Sequence, residues 1–189
     1  MKICKNKLIK VTLICILGWL ATGCNEDINN NDSPSNNGAS GSGVMSVAMA
    51  LEQVDQEIGE LDHSTSVAGT DTDGDGVRDD VEDYIASLSD SRAQQNALRQ
   101  TSAAISAAIA VGNNNNASDA QLRAVTQQLS RAIKCLWSRY DSNAAAKEHS
   151  DLIRKITANT PERFNAYMQY NAAIDGFAIK LPRGDTCDD

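Results

Sequence analysis

Apolar residues recur every three or four positions through most of the chain after residue 43, which is the spacing of one face of an α-helix. No segment shows the alternation of apolar and polar residues that is typical of a half-buried strand. The predicted helices are Val44 to Leu61, a short helix from Asp79, Asp90 to Val111, Ser118 or Asp119 to Tyr140, Asn143 to Ala158, and Thr160–Pro161 to Gly176. The pattern predicts an all-α protein, a small bundle of about five to six helices.

The apolar stripes also indicate which side chains form the core, and the clearest stripe lies between residues 122 and 140. For the short helix, Asp79 is predicted as the N-cap and Glu82 as its capping-box partner. The predicted core residues are Val47, Leu51, Val54, Ile58, Tyr84, Ile85, Leu88, Leu98, Ser102, Ile105, Ile109, Leu122, Val125, Leu129, Ile133, Leu136, Trp137, Tyr140, Leu152, Ile153, Ile156, Phe164, Tyr167, Met168 and Ile174.

The first 23 residues have the composition of a secretory signal peptide. Four lysines, the last of them Lys10, precede an apolar run from Val11 to Ala21. That run is short for a membrane-spanning helix, which needs about 20 apolar residues, whereas a basic leader followed by a short apolar run is typical of an export signal. We therefore expect residues 1–23 to be removed on export.

The sequence Leu-Ala-Thr-Gly-Cys at residues 20–24 resembles the lipobox of bacterial lipoproteins, in which small residues precede a cysteine that is lipidated. The resemblance implies that Cys24 becomes the lipid-bearing N-terminus and that the membrane is a partner through this anchor. Asn25 stands where an aspartate would favour inner-membrane retention, which implies the outer membrane if the cell is Gram-negative. The alternative is ordinary cleavage after Ala21 or Gly23, which would leave Cys24 free.

The segment after the signal is predicted to be a tether. Residues 24–43 are rich in asparagine, serine and glycine and cannot bury enough apolar surface to order themselves. As a disordered coil they would span about 25 Å. The predicted first helix, residues 44–62, and a Gly/Ser/Thr linker, residues 63–70, follow, and residues 71–189 are predicted to form a loop and helical domain.

The most informative stretch is Asp-Thr-Asp-Gly-Asp-Gly-Val-Arg-Asp-Asp-Val-Glu at residues 71–82. Carboxylates occupy its positions 1, 3, 5, 9 and 12, and Gly76 at position 6 permits a sharp reversal of the backbone. A calcium ion takes about six to eight oxygen ligands, and this spacing supplies them from one short turn. The predicted ligands are the side chains of Asp71, Asp73 and Asp75, the main-chain carbonyl of Val77, Asp79 directly or through a water, and both oxygens of Glu82.

The loop resembles the calcium loops of the EF-hand family at all six ligand positions and at the glycine, which implies calcium as the cofactor. Position 8 departs from paired EF-hands, which carry an aliphatic residue there to meet a second loop, whereas this chain has Arg78. The stretch that starts at Asp141 cannot be the second loop, because Ala145 would stand at a ligand position. The site is therefore similar to the unpaired loops of thrombospondin type 3 repeats and dockerins. The alternative is an acidic turn that holds no metal.

Charge and cysteine content fit an exported domain. The formal net charge is −8, and loss of residues 1–23, which carry four lysines and no acids, would bring it to −12. This acidity disfavours nucleic acids and anionic membrane surfaces as partners, since both favour basic patches. Cys135 and Cys187 are the pair that neither the signal peptide nor the lipid anchor would use. We therefore predict a disulfide between them, with two buried thiols as the alternative.

Candidate catalytic residues are few, and the chain is predicted not to be an enzyme. His63 lies in the linker and His149 lies beside acids on a polar helix face, and neither has an evident nucleophile or metal nearby. Both are interpreted as solvated surface residues. Four aromatic residues at helical spacing, Trp137, Tyr140, Tyr167 and Tyr170, are interpreted as core residues. The alternative is that they line a carbohydrate or peptide groove.

Three function classes remain. The leading one is a membrane-anchored, calcium-binding envelope lipoprotein without enzymatic activity, which is structural or binds an envelope protein or a glycan. The second is a sensor or assembly module whose partner docks only when calcium orders the helix after the loop. The third is a cell-envelope hydrolase.

Overall fold

Five helices and no strand are present in residues 60–188, the part of the chain that the computed structural model describes. The helices are α1 (Asp79–Ser87), α2 (Arg92–Gly112), α3 (Asp119–Arg139), α4 (Asn143–Thr157) and α5 (Pro161–Ala173). The predicted all-α fold is confirmed. The predicted signal peptide, the tether and the first helix up to residue 59 lie outside the described residues, and residues 60–62 are not helical.

Side chains just before the helices determine where most of them begin. Ser91 and Ser118 each accept a hydrogen bond from the backbone N–H three residues on, and a glutamine at that position bonds back, so α2 and α3 start with complete capping boxes. The side chain of Ser142 caps α4. Thr160 caps α5 and Pro161 occupies its first turn, as predicted.

The start of α1 differs from the prediction. Arg78 occupies the cap position in extended backbone without a capping side chain, and Asp79 is the first helical residue. The backbone N–H and the hydroxyl of Thr72 donate to the carboxylate of Asp79 at 2.9 and 2.6 Å. The predicted capping box of Asp79 and Glu82 is therefore wrong, because the carboxylate of Asp79 closes the preceding loop instead.

The central helix of the bundle is α2, which packs against each of the other four. All four residues of its predicted stripe are buried, and small residues beside them let neighbouring helices approach closely. The buried residues of α2 are Ala97, Leu98, Thr101, Ser102, Ala104, Ile105, Ala108, Ile109 and Val111. The predicted period and face of this helix are therefore correct.

The buried faces of α3 and α5 differ in part from the predicted stripes. Trp137 and Met168, both predicted core residues, are 45% and 47% exposed. The buried residues of α5 are Arg163, Ala166 and Tyr170. Arg163 has several hydrogen-bond partners and takes a core position, so the buried face of α5 is not the purely apolar stripe that was predicted. The other predicted core residues within 60–188 are buried or half-buried.

After α5 the chain returns to α3, and a disulfide joins Cys135 of α3 to Cys187. The pairing predicted from the cysteine count is therefore present. Beside it, the hydroxyl of Thr186 donates to the carbonyl of Arg131, and Gln100 of α2 donates to the carbonyl of Thr186, both at 2.9 Å. The tail is thus fixed to two helices. Within residues 60–188, no helix has the length and apolar character needed to cross a membrane.

Candidate metal centre

The loop at residues 71–82 brings three carboxylates together before α1. Oxygen atoms of Asp71, Asp73 and Asp75 lie within 4.8 Å of one another. Asp73 and Asp75 are exposed and Asp71 is half-buried, so an ion can reach the group from solvent. Of the six predicted ligands, these three form the group.

Hydrogen bonds from the backbone to the aspartates shape this turn. The two carboxylate oxygens of Asp71 accept the N–H groups of Gly74 and Gly76 at 2.8 and 3.0 Å, and Asp75 accepts the N–H of Val77 at 2.8 Å. Gly76 has a φ of +89°, so the glycine predicted at position 6 is required by the backbone. Each carboxylate keeps acceptor capacity for a metal, because a carboxylate offers about four lone-pair sites.

Three negative charges at this separation repel one another. Within residues 60–188, no lysine or arginine forms an ion pair with Asp71, Asp73 or Asp75. A hard divalent cation would relieve the repulsion, and carboxylate oxygens are the ligands that calcium and magnesium take. The donor set therefore fits such a cation.

Two further predicted ligands, Val77 and Asp79, have side chains with structural contacts of their own. The side chain of Val77 is 1% exposed and packs in the core, which leaves its main chain in the loop. The hydroxyl of Thr72, and then its backbone N–H, lower the pKa of Asp79. This contact joins positions 2 and 9 of the loop, and Asp79 stands outside the group of three aspartates.

Glu82, the predicted ligand at position 12, forms an ion pair with Arg99 of α2, with 3.3 Å between Oε1 and Nε. Desolvation, and then the negative charge of Asp75, raise the pKa of Glu82, while the hydrogen bond from Arg99 opposes this shift. Glu82 ends the same twelve-residue stretch that contains Asp75. Its carboxylate is nevertheless bonded to an arginine, and the structure does not bring it into the group of three.

Arg78, at position 8, attaches the loop to the bundle. Its side chain is 2% exposed and forms a two-point ion pair with Asp80, with distances of 2.8 and 2.6 Å. The same guanidinium donates to the carbonyls of Ile156 and Thr157 and to the side chain of Asn159. In a paired EF-hand an aliphatic residue at this position contacts the second loop. In this chain the arginine at this position instead contacts the end of α4 and the residue Asn159 that follows it.

A second arginine, Arg163 of α5, holds the segment that precedes the loop. It is completely buried, donates to the carbonyls of Asp62 and Ser66, and pairs with the carboxylate of Asp62 at 3.0 Å. Gly69 makes room for both arginines, because a Cβ there would lie 2.2 Å from Cδ of Arg78. The predicted linker at residues 63–70 is thus bonded to the bundle.

Sequence analysis did not identify this arginine cluster, which we define as Arg78 and Arg163 with their partners Asp62, Asp80 and Asn159. One signal was available, because an arginine at position 8 is unusual for a calcium loop. The sequence around Arg163 did not mark it as buried, since its ion-pair partner Asp62 and the carbonyl of Ser66 lie about a hundred positions earlier in the chain.

Two of the remaining candidate residues, His149 and Tyr170, have structural partners. His149 is half-buried and stacks on Tyr140 with 4.3 Å between ring centroids, so it is less solvated than predicted, whereas His63 is exposed. Tyr170 is buried, and its hydroxyl lies 2.8 Å from that of Thr126. It therefore cannot floor an exposed groove.

Comparisons with known proteins return no relative for this chain. No protein-family model, no curated protein and no solved structure matches it. Inference about function therefore depends on the residues of the loop and their surroundings.

Proposed function

We propose that this chain is a calcium-binding protein without enzymatic activity, whose acidic loop holds one ion at the start of the helical bundle. The observation that carries the proposal is the convergence of Asp71, Asp73 and Asp75 within 4.8 Å. These residues occupy positions 1, 3 and 5 of a loop that also resembles EF-hand loops at its other ligand positions.

Calcium suits this loop better than magnesium. The three aspartates, the carbonyl of Val77, Asp79 directly or through a water, and both oxygens of Glu82 would together offer about seven oxygen ligands. Calcium accepts this number in a flexible geometry, whereas magnesium requires a tighter octahedron and usually keeps several waters.

The role that we propose for the ion is structural. Calcium would hold the first and last positions of the loop together and so stabilise the start of α1. Arg78 lies inside the loop and is bonded to the end of α4, so an ordered loop would also support the contact with the bundle. The same contact favours a second candidate function, a sensor or assembly module in which calcium completes a surface for a partner.

We further propose that the protein is exported and anchored by lipid at Cys24. The support is the basic and apolar leader followed by a lipobox-like sequence at residues 20–24. In a Gram-negative cell the outer membrane is the favoured location. Candidate partners are then an envelope protein or a glycan within reach of a tether of about 25 Å.

The calcium proposal predicts one ion per chain with weak affinity, because the loop is unpaired. Calorimetry with calcium chloride should give a dissociation constant of about 10⁻⁴ to 10⁻³ M. Asp71→Ala should abolish the binding heat. Asp119→Ala, which removes an exposed acid at the start of α3, is the matched control and should bind as the wild type does.

Hydrogen exchange, measured with and without chelator, shows which part of the chain the ion stabilises. Chelator should reduce protection from Asp71 to about Leu88, while α2 to α5 should keep theirs because each has its own buried face. Absence of binding heat at millimolar calcium, together with unchanged exchange, would reject the site. Two ions per chain would require a second loop.

The anchoring proposal is tested independently of calcium. Labelled palmitate should be incorporated into the wild type and not into Cys24→Ala, and the variant should accumulate as a precursor or in the soluble fraction. Cys135→Ala, which changes a cysteine within the bundle, should still be labelled. Normal processing and membrane association of Cys24→Ala would contradict the lipid anchor.

A further inference from the structure

The ion pair between Glu82 and Arg99 connects a predicted calcium ligand to the central helix. Glu82 lies in the first turn of α1, and Nε of Arg99 approaches its Oε1 to 3.3 Å from α2. The two side chains are 28% and 31% exposed, so each can change partner while the helices stay packed. Arg99 also lines a groove of 640 Å³ together with Asp75 and Gly76 of the loop.

We propose that Arg99 competes with calcium for Glu82 and thereby weakens calcium binding. The inference rests on the proposed calcium function and assigns to Arg99 a role in setting the affinity of that site. Arg99 is not a ligand. It acts through Glu82, which must exchange the arginine for the metal ion.

Two physical effects of Arg99 act in the same direction. Its guanidinium makes a charge-assisted hydrogen bond to the carboxylate that would give calcium two oxygens, and this bond must be lost before both oxygens can bind the ion. Its positive charge also repels a cation that approaches the loop. Neutralising residue 99 removes both effects and should strengthen binding.

Two other arginines show why Arg99 is singled out. Arg78 pairs with Asp80, which is not one of the predicted ligands. Arg131 lines the same groove as Arg99, but its carboxylate partner is Asp188 in the tail. Arg131→Gln therefore removes the same type of charge from the same groove without releasing a predicted ligand, and it is the matched control.

The test is calcium calorimetry on the wild type, Arg99→Gln and Arg131→Gln at one ionic strength. The dissociation constant should fall about three- to tenfold in Arg99→Gln, since a partly exposed ion pair and a nearby like charge are both lost. It should change less than about twofold in Arg131→Gln, whose charge is compensated by Asp188. Arg99→Lys keeps the positive charge but loses the planar guanidinium, so its dissociation constant should lie between those of the wild type and Arg99→Gln.

Thermal unfolding provides a second measurement that a purely structural role would not reproduce. In chelator, Arg99→Gln should unfold at a slightly lower temperature than the wild type, because it lacks the ion pair. At a fixed calcium concentration it should gain more from the ion than the wild type does, since stabilisation grows with the ratio of ligand to dissociation constant. Equal destabilisation with and without calcium would overturn the proposal.

The calorimetric outcomes separate this inference from the function on which it rests. An unchanged or weaker affinity in Arg99→Gln overturns the competition while the calcium site itself stands. An equal gain in Arg131→Gln also overturns it, because the effect would then come from net charge. No calcium binding by any of the proteins rejects the proposed function and the inference together.

Discussion

The loop at residues 71–82 contributes to two charged clusters, one acidic and one built around arginines. The two clusters differ in how far their charges are paired. Asp71, Asp73 and Asp75 form an acidic cluster that solvent can reach and that has no ion-pair partner within residues 60–188. Arg78 and Arg163 are both buried and are surrounded by acceptors. The acidic cluster has unused acceptor capacity, whereas the arginine cluster is satisfied by the protein itself.

The difference indicates what each cluster does. Burial of a charge is unfavourable unless it is paired and hydrogen-bonded, so the partners of the two arginines offset the cost of burying them. Burial, and then the charge of Arg78, lower the pKa of Arg163, while Asp62 opposes the shift. The arginine cluster therefore stabilises the fold, whereas the acidic cluster keeps the acceptor capacity that the proposed calcium ion would use.

The largest expected effect follows from breaking the arginine cluster. Arg163→Met should reduce the free energy of unfolding by about 3 kcal/mol, because it removes the buried guanidinium that donates to Oδ2 of Asp62 and to the carbonyl of Ser66. Urea unfolding in chelator measures this directly. Arg154→Met is the control, since Arg154 is 46% exposed and its pair with Asp151 is worth less than about 1 kcal/mol. Similar losses in the two variants would mean that burial of the arginine has little consequence.

Much of the fold could be predicted from local sequence. The serine and glutamine of each capping box are three residues apart, and the stripe of α2 repeats within one helix, so both are visible in a short window. The face of α5 was not predictable in the same way. Arg163 looks like a surface residue until its partners Asp62 and Ser66 are brought to it by the fold.

The candidate site shows the same limit. Positions 1, 3 and 5 of the loop are close in sequence, and hydrogen bonds within the loop are enough to bring their carboxylates together. The partner of Glu82 comes from another helix, so the spacing of the loop could not reveal Arg99. Local patterns thus predicted a set of ligands, and only the packing of α1 on α2 showed which of these predicted ligands is paired with an arginine.

The smallest expected effect concerns the dependence of the arginine cluster on pH. Although desolvation raises the pKa of Asp62, hydrogen bonds from Ser64 and the charge of Arg163 lower it from 3.8 to about 2. A carboxyl group whose pKa is lower in the folded state stabilises the fold when it is ionised. Its contribution is therefore complete above about pH 4 and is lost as the pH falls towards about 2.

Comparing the wild type with Asp62→Asn isolates this contribution. In chelator, the wild type should be the more stable protein at pH 5, and the difference should shrink as the pH falls through the range between about 4 and 2. Carboxylates that titrate alike in both proteins cancel in the difference, so urea unfolding at several pH values reports on Asp62 alone. The difference should be smaller than the effect of Arg163→Met, because Asp62 is 21% exposed and solvent screens its charge. A difference that does not change with pH would mean that Asp62 stabilises the cluster through hydrogen bonds that asparagine can replace only in part, and not through its charge.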